Sequence, residues 1–256
     1  MLQAHSFLWH YLWVAPNLLL AFLAFLLWRR GAARRLSAFF AFAVLSSIGQ
    51  LAVYAADILP SVAPRTYWSV DWADLLLEGV LKFVLIGEIF AVLFGSYASL
   101  AQLGKVLIRG AGIVLVFAAA LAAAYAPKSE FFGIISGANL LEQTTYLIEC
   151  GILVSIFLFA AYFHLSWPRQ VFGISLGLGV SACVHLATWA LIDNSGLPYS
   201  TRLILTFVNM ATYHACVLIW FYYLLVPPKV ATKSTVPLPE NSLDIWNREL
   251  ERLVHQ

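Results

Sequence analysis

The stretch DWADLLLEGVLKFVLIGEIFAVLFGSYASL, residues 71–100, is long and apolar enough to cross a bilayer, yet ionisable side chains interrupt it. They are Asp71, Asp74, Glu78, Lys82 and Glu88. In an α-helix the first four share one stripe, and Glu78 and Lys82 form an i, i+4 pair. A charge near the centre of a membrane costs about 2.5–3.5 kcal/mol on insertion scales. We therefore expect this stripe to face protein or trapped water and not lipid.

The composition of the whole chain is that of a membrane protein. Of its 256 residues, 62% are hydrophobic and only 11% are charged, far from the values of soluble domains. The formal net charge of +2 is too small to indicate nucleic-acid binding. The cysteines, Cys150, Cys183 and Cys216, lie inside apolar runs and are interpreted as small buried hydrophobic residues. The expected partner of the surface is therefore the lipid bilayer.

Apolar segments separated by short polar turns predict an all-α, polytopic membrane protein with a seven-transmembrane helix bundle in residues 1–226. The predicted spans are 7–28, 36–59, 71–100, 106–125, 141–165, 171–192 and 201–226. A Pro-containing linker, 227–240, and an amphipathic cytoplasmic helix, 241–256, are expected to follow.

The distribution of positive charge predicts the orientation. Of the 15 Lys and Arg residues, eleven fall in the tail and in the turns after spans one, three and five. Three fall on the opposite side, Arg65, Lys128 and Arg202, and Lys82 lies within the membrane. The positive-inside rule then places the N-terminus outside and the C-terminus in the cytoplasm, in a multi-pass protein of a cell inner membrane.

Polar side chains in spans three, five, six and seven lie at similar depths, counted at about 1.5 Å per residue. They predict an outward-facing polar ligand pocket between these spans. Its candidate residues are Asp74, Glu78, Lys82, Tyr146, Glu149, His185, Asn209, Tyr213 and His214. The alternative is a set of dispersed polar pairs that hold helices together without a pocket, Glu78 with Lys82 among them.

His185, His214 and Glu149 have the chemistry of zinc or iron ligands. The sequence contains no HExxH motif and no pair of histidines four residues apart. We therefore predict no cofactor, with a metal at these three residues as the alternative.

The tail has a helical pattern of its own. Its apolar residues recur at spacings of three and four, as in an amphipathic helix. They are Leu243, Trp246, Leu250 and Leu253. Such a helix lies on the membrane or the bundle, or it docks on a cytoplasmic protein partner.

Two short patterns resemble an uncharacterised group of bacterial seven-transmembrane proteins. The first pattern is Glu88-Ile89-Phe90, followed by Tyr97, Leu100 and Leu103 before a basic turn. The second is Trp246-Asn247-x-Glu249-Leu250 in the tail. In span number and orientation the chain is also similar to the seven-helix sensor modules of bacterial signalling proteins.

These features favour a non-enzymatic sensor or accessory subunit, with an outer pocket and a cytoplasmic docking helix. One alternative is a small-molecule or proton-coupled transporter that uses the intramembrane carboxylates. Another is a metal-dependent intramembrane enzyme.

Overall fold

The computed structural model describes residues 5–94, 130–162, 165–194 and 197–227, together with separate positions between 106 and 117. Side chains are described in these ranges except at 130–140 and 193–194. Most of the predicted fourth span, 106–125, lies outside the described residues, and its described positions are helical. The predicted tail helix also lies outside them, with its docking residues Leu243, Trp246, Leu250 and Leu253.

The described residues form an all-helical structure without β-strands, as predicted. Its helices are α1 (Phe7–Arg29), α2 (Ser37–Ile58), α3 (Pro64–Phe94), α4 (Glu130–Tyr162), α5 (Arg169–Asn194) and α6 (Tyr199–Leu225). A short 3-10 turn, Ala32–Arg34, lies between α1 and α2. The chain divides into two compact units, Met1–Val226 and Pro227–Gln256, and the helices belong to the first.

Two helices begin earlier than the sequence predicts. Helix α3 begins at Pro64 instead of residue 71, and α4 begins at Glu130 instead of residue 141. Proline is favoured at the first position of a helix, because its missing N–H would have no partner there and its φ is already helical. Pro64 therefore starts α3, in a segment that the sequence interpretation assigned to a connection.

Five of the helices have segments long and apolar enough to cross a membrane, and they belong to α1, α2, α4, α5 and α6. Helix α3 has the length, 31 residues, but carries more charge than those segments. Its charged stripe is turned toward protein, since Asp74 and Lys82 are each only 5% exposed. The described part of the chain thus has the architecture of a multi-pass membrane protein.

The six helices named above form a ring, in which they pack in order from α1 to α6 and α6 packs against α1. Most neighbours are antiparallel, but α3 and α4 run in the same direction. Gly79 faces Thr145 across their contact, and Lys82 faces Glu149, so residue numbers rise together on both helices. Helix α3 therefore ends at the opposite end of the bundle from the end at which α4 begins.

Helices α6 and α1 are the second parallel pair. The ring of Trp9 lies 5.7 Å from that of Phe207, and near the other end Phe22 stacks on Phe221 at 6.4 Å. Both helices therefore begin at one end of the bundle and finish at the other.

The apolar core fills the half of the bundle in which α1 ends, which we call the closed half. Its centre is Trp220, which is 1% exposed and packs edge-on against Phe39 and Phe42. The indole Nε1 donates a hydrogen bond to the Ile174 carbonyl oxygen at 3.3 Å. The indole also occupies the space where Gly177 would carry a Cβ, so this glycine permits the close approach of α5 and α6. The other half, in which α1 begins, is called the cavity half.

The cysteines do not share one environment. Cys216 is buried, Cys150 is partly buried and Cys183 is exposed on the outer surface of the ring. The Sγ atoms of Cys150 and Cys183 lie 3.4 Å apart, across the contact of α4 and α5. The prediction that all three are buried is wrong for Cys183, because an outward position on a membrane helix is as apolar as an inward one.

Candidate functional site

A cavity of about 500 Å³ occupies the cavity half, inside the ring. All of the described helices contribute to its wall, α1 and α2 as well as the four helices that the sequence interpretation assigned to it. This volume lies in the range of small-molecule sites, about 300–1,000 Å³. The described structure therefore contains a chamber. The alternative prediction, dispersed polar pairs that hold helices together, includes no such chamber.

An ion cluster forms the inner end of the cavity. Lys82 Nζ lies 2.9 Å from Glu78 Oε1 on the preceding turn of α3 and 3.5 Å from Glu149 Oε2 on α4. The exposed fraction of the side chain falls from 16% for Glu78 to 6% for Lys82 and 0% for Glu149. If all three groups are ionised, the cluster carries one net negative charge.

Glu149 is the most buried acid of the cluster and the least satisfied. Neither of its carboxylate oxygens accepts a hydrogen bond in the described structure, although one lies within ion-pair distance of Lys82. An ionised carboxylate that is removed from solvent needs a nearby positive charge, because its desolvation costs on the order of several kcal/mol. Lys82 therefore supplies the positive charge that an ionised Glu149 requires.

Asp74 lines the cavity one turn before Glu78 and is anchored on α2. Its Oδ2 accepts a hydrogen bond from Gln50 Nε2 at 2.8 Å. Its Oδ1 packs against Gly49, where a larger residue would overlap it, and accepts no hydrogen bond from the described residues. Asp74 thus contributes a nearly buried carboxylate whose free oxygen faces α2 and whose other oxygen is bound by the neutral Gln50 amide.

A chain of contacts connects the ion cluster to Glu142, nearer the start of α4. Lys82 Nζ lies 4.3 Å from the ring centroid of Tyr146, which stacks on the His185 ring at 4.0 Å. His185 Nε2 lies 2.8 Å from Glu142 Oε1. The seven-residue spacing of Glu142 and Glu149 places both on one face of α4. This face therefore supplies the acid at each end of the series of side-chain contacts.

Neutral polar groups of α1, α5 and α6 form hydrogen bonds on and beside the cavity wall. The Thr188 hydroxyl lies 2.9 Å from Asn209 Oδ1 and 2.8 Å from the His185 carbonyl oxygen. Tyr213 donates to Asn17 Oδ1 at 3.4 Å, and Asn17 Nδ2 donates to the Trp13 carbonyl oxygen at 2.7 Å. These bonds tie α1, α5 and α6 around the cavity.

Five tryptophans line the cavity. One is Trp220 of the apolar core, and the others are Trp9, Trp13, Trp68 and Trp189. Tryptophan near the end of a membrane helix is commonly an anchor at the membrane surface. Near a helix end, an indole facing a cavity and one facing the headgroups have the same sequence pattern. Their contribution to the site was therefore missed, as were those of Asp71 and Glu142.

The structure brings most of the sequence-predicted pocket residues together around one cavity. Those lining the cavity are Asp74, Glu78, Lys82, Tyr146, His185, Asn209 and Tyr213. Glu149 lies behind Lys82 instead of on the wall. His214 is elsewhere, with its ring 5.7 Å from that of Tyr11.

The residues of the alternative metal site have separate neighbours. His185 pairs with Glu142, Glu149 with Lys82, and His214 packs beside Tyr11. Among the side chains that are described, no group of three or more His, Cys, Asp or Glu is placed to hold a metal ion.

Comparison of the chain with models of known protein families, with curated protein sequences and with solved structures gives no match. The class of protein therefore follows from its own architecture. It is an all-helical protein with five helices suited to crossing a membrane, and its ring encloses an acidic, tryptophan-lined chamber.

Proposed function

We propose that this protein is a sensor or accessory subunit of an inner membrane, which binds a small molecule in the cavity from the outer side. The observation that carries the proposal is the chamber of about 500 Å³ with a buried ion cluster at its inner end. A membrane bundle built only for anchoring would fill this space with apolar side chains. The tail, residues 241–256, would pass the signal to a cytoplasmic protein.

We propose that residues 1–226 cross the membrane seven times. Helix α3 ends in the closed half and α4 begins in the cavity half, so the chain has to return between residues 94 and 130. The predicted fourth span, 106–125, lies in this interval. A seventh crossing also leaves the two termini on opposite sides, as the charge distribution predicts.

Arginines at the closed half support the proposed orientation. Arg30 donates to the Leu225 carbonyl oxygen at 3.2 Å, and Arg169 donates to that of Val226 at 2.6 Å. Basic side chains commonly bind the last carbonyls of a helix in this way. With these arginines on the cytoplasmic side, the cavity half faces outward.

The proposal is tested by thiol labelling with the full-length protein in native membranes. The three native cysteines are replaced by alanine, and Ser181→Cys then places a thiol on the cavity wall. The matched control is Val180→Cys, one residue away at the same depth but 36% exposed on the outer surface of the ring. The probe is a membrane-impermeant trimethylammonium methanethiosulfonate, applied to right-side-out and to inverted vesicles.

We expect modification of Ser181→Cys in right-side-out vesicles only, and no modification of Val180→Cys. Protection of both thiols from both sides would show that no water-filled chamber exists. Labelling from the cytoplasmic side alone would contradict the proposed orientation. Either result overturns the proposal.

A transporter is the second candidate, and the ion cluster favours it. Glu78, Lys82 and Glu149 form a charged unit inside the bundle, where transporters place coupling groups. Alternating access would expose Ser181→Cys to the probe from both sides in turn. Glu149→Gln should then restrict labelling to one side, whereas in a sensor the wild-type pattern is already one-sided.

A further inference from the structure

We propose that the ligand of this cavity is an organic ammonium cation with an apolar body. The proposal depends on the proposed function, since it assigns a ligand class to the same chamber. It follows from the charge of the wall, from its tryptophans and from an ammonium group that the wall already holds.

The charge of the wall is the first reason. Four carboxylates line the cavity, Asp71, Asp74, Glu78 and Glu142, and the cationic or basic groups among its lining residues are Lys82 and His185. Lys82 is already shared between Glu78 and Glu149, and His185 already pairs with Glu142. The remaining negative charge repels an anion and stays uncompensated beside a neutral ligand.

Asp74 is the acid best placed to receive the cation. Asp74 is only 5% exposed, and Gln50 donates a hydrogen bond to one of its two carboxylate oxygens. The other oxygen packs against Gly49 and accepts no hydrogen bond, and no described cationic side chain lies within ion-pair distance of this carboxylate. A carboxylate on the cavity wall without a cationic partner is stabilised by a ligand that brings positive charge into the cavity.

The aromatic wall is the second reason, and it distinguishes an organic ammonium ion from a bare metal cation. Trp9, Trp13, Trp68 and Trp189 line the same cavity as the acids. Tryptophan gives the strongest cation–π attraction of the aromatic side chains, and its apolar face also accommodates alkyl groups. A small hydrated metal ion uses oxygen ligands and gains little from such a wall.

The third reason is an ammonium group already bound in the cavity. Lys82 Nζ lies 2.9 Å from a carboxylate oxygen of Glu78 and 4.3 Å from the centroid of the Tyr146 ring. The wall thus combines an acid and an aromatic face around a protonated amine at its inner end. The acids and tryptophans nearer the start of α3 repeat these components without an amine of the described chain between them.

The test uses the full-length protein in detergent and three probes with the same benzyl group. Benzyltrimethylammonium is the cation, benzyl alcohol the neutral probe and phenylmethanesulfonate the anion, and binding is measured by calorimetry. We expect the cation to bind at least about tenfold more tightly than the other two, a difference of about 1.4 kcal/mol. It should also slow thiol labelling of Ser181→Cys.

Two substitutions locate the site. Asp74→Asn and Glu142→Gln should each weaken cation binding about tenfold, because each removes one negative charge while an amide keeps the shape. Asp57→Asn is the matched control. This acid lies near the end of α2 but not on the cavity wall, so affinity should stay within about twofold. If Asp74→Asn does not fold, Glu142→Gln decides the test.

The failures of the two proposals are distinguishable. If Ser181→Cys is labelled from outside but the cation binds no better than the alcohol, the ligand class is wrong and the chamber stands. Tighter binding of the sulfonate than of the cation would also show that the ligand class is wrong and would leave the chamber standing. An equal loss in Asp57→Asn and Glu142→Gln would show attraction by surface charge and would overturn the assignment to the cavity.

Discussion

Replacing Lys82 by methionine should destabilise the bundle strongly, because it leaves Glu149 buried without a counter-charge. At an effective dielectric constant of about 20, the attraction between unit charges across the observed 3.5 Å is about 5 kcal/mol. Desolvation of both groups offsets part of this in the wild type, but the variant retains the desolvation of Glu149 and loses the attraction. Removing one partner of a buried pair typically costs about 3–5 kcal/mol. We expect a loss of this size in the free energy of unfolding.

The assay is SDS titration in mixed micelles, with reaction of the Cys216 thiol as the signal, since this residue is 0% exposed in the folded protein. The double variant Lys82→Met/Glu149→Gln is the control. It removes both charges, so it should recover most of the lost stability. If Lys82→Met has the wild-type free energy of unfolding, or if the double variant recovers none of the lost stability, Glu149 is not a charged group that Lys82 stabilises.

Two further predictions concern helix contacts. Gly177→Ala should reduce the free energy of unfolding by about 1–3 kcal/mol, because its Cβ overlaps the indole of Trp220, whereas Gly151→Ala, with open space around it, should not destabilise. In the wild type, a mild oxidant should link Cys150 and Cys183 within one chain, seen in mass spectrometry as the loss of two hydrogen atoms. Alkylation of both thiols after oxidation would contradict the packing of α4 against α5.

Local spacing predicted the part of the site that one helix builds by itself. Glu78 and Lys82 are four residues apart on α3, and Lys82 Nζ lies 2.9 Å from Glu78 Oε1. The contact with Glu149 belongs to a second helix, and hydrophobic periodicity does not encode which helices become neighbours. The same reason explains why the contributions of α1 and α2 to the cavity were not expected.

Counting depth along a helix ignores the direction in which a side chain points. His214 follows Asn209 by five residues, and at about 100° per residue this turns it roughly 140° around α6. Asn209 and Tyr213, four residues apart, share the cavity face, while His214 points toward Tyr11. Combining depth with helical angle would have separated His214 from the pocket at the sequence level.

The parallel pairing of α1 and α6 constrains how this chain can be re-engineered. Joining the end of α6 to the start of α1 requires a linker along 27 residues of helix, about 40 Å, or roughly a dozen extended residues. Such a linker would run through hydrocarbon, where each unpaired backbone group costs several kcal/mol, roughly. A circular permutant of this ring is therefore viable only if the new connection is itself another transmembrane helix.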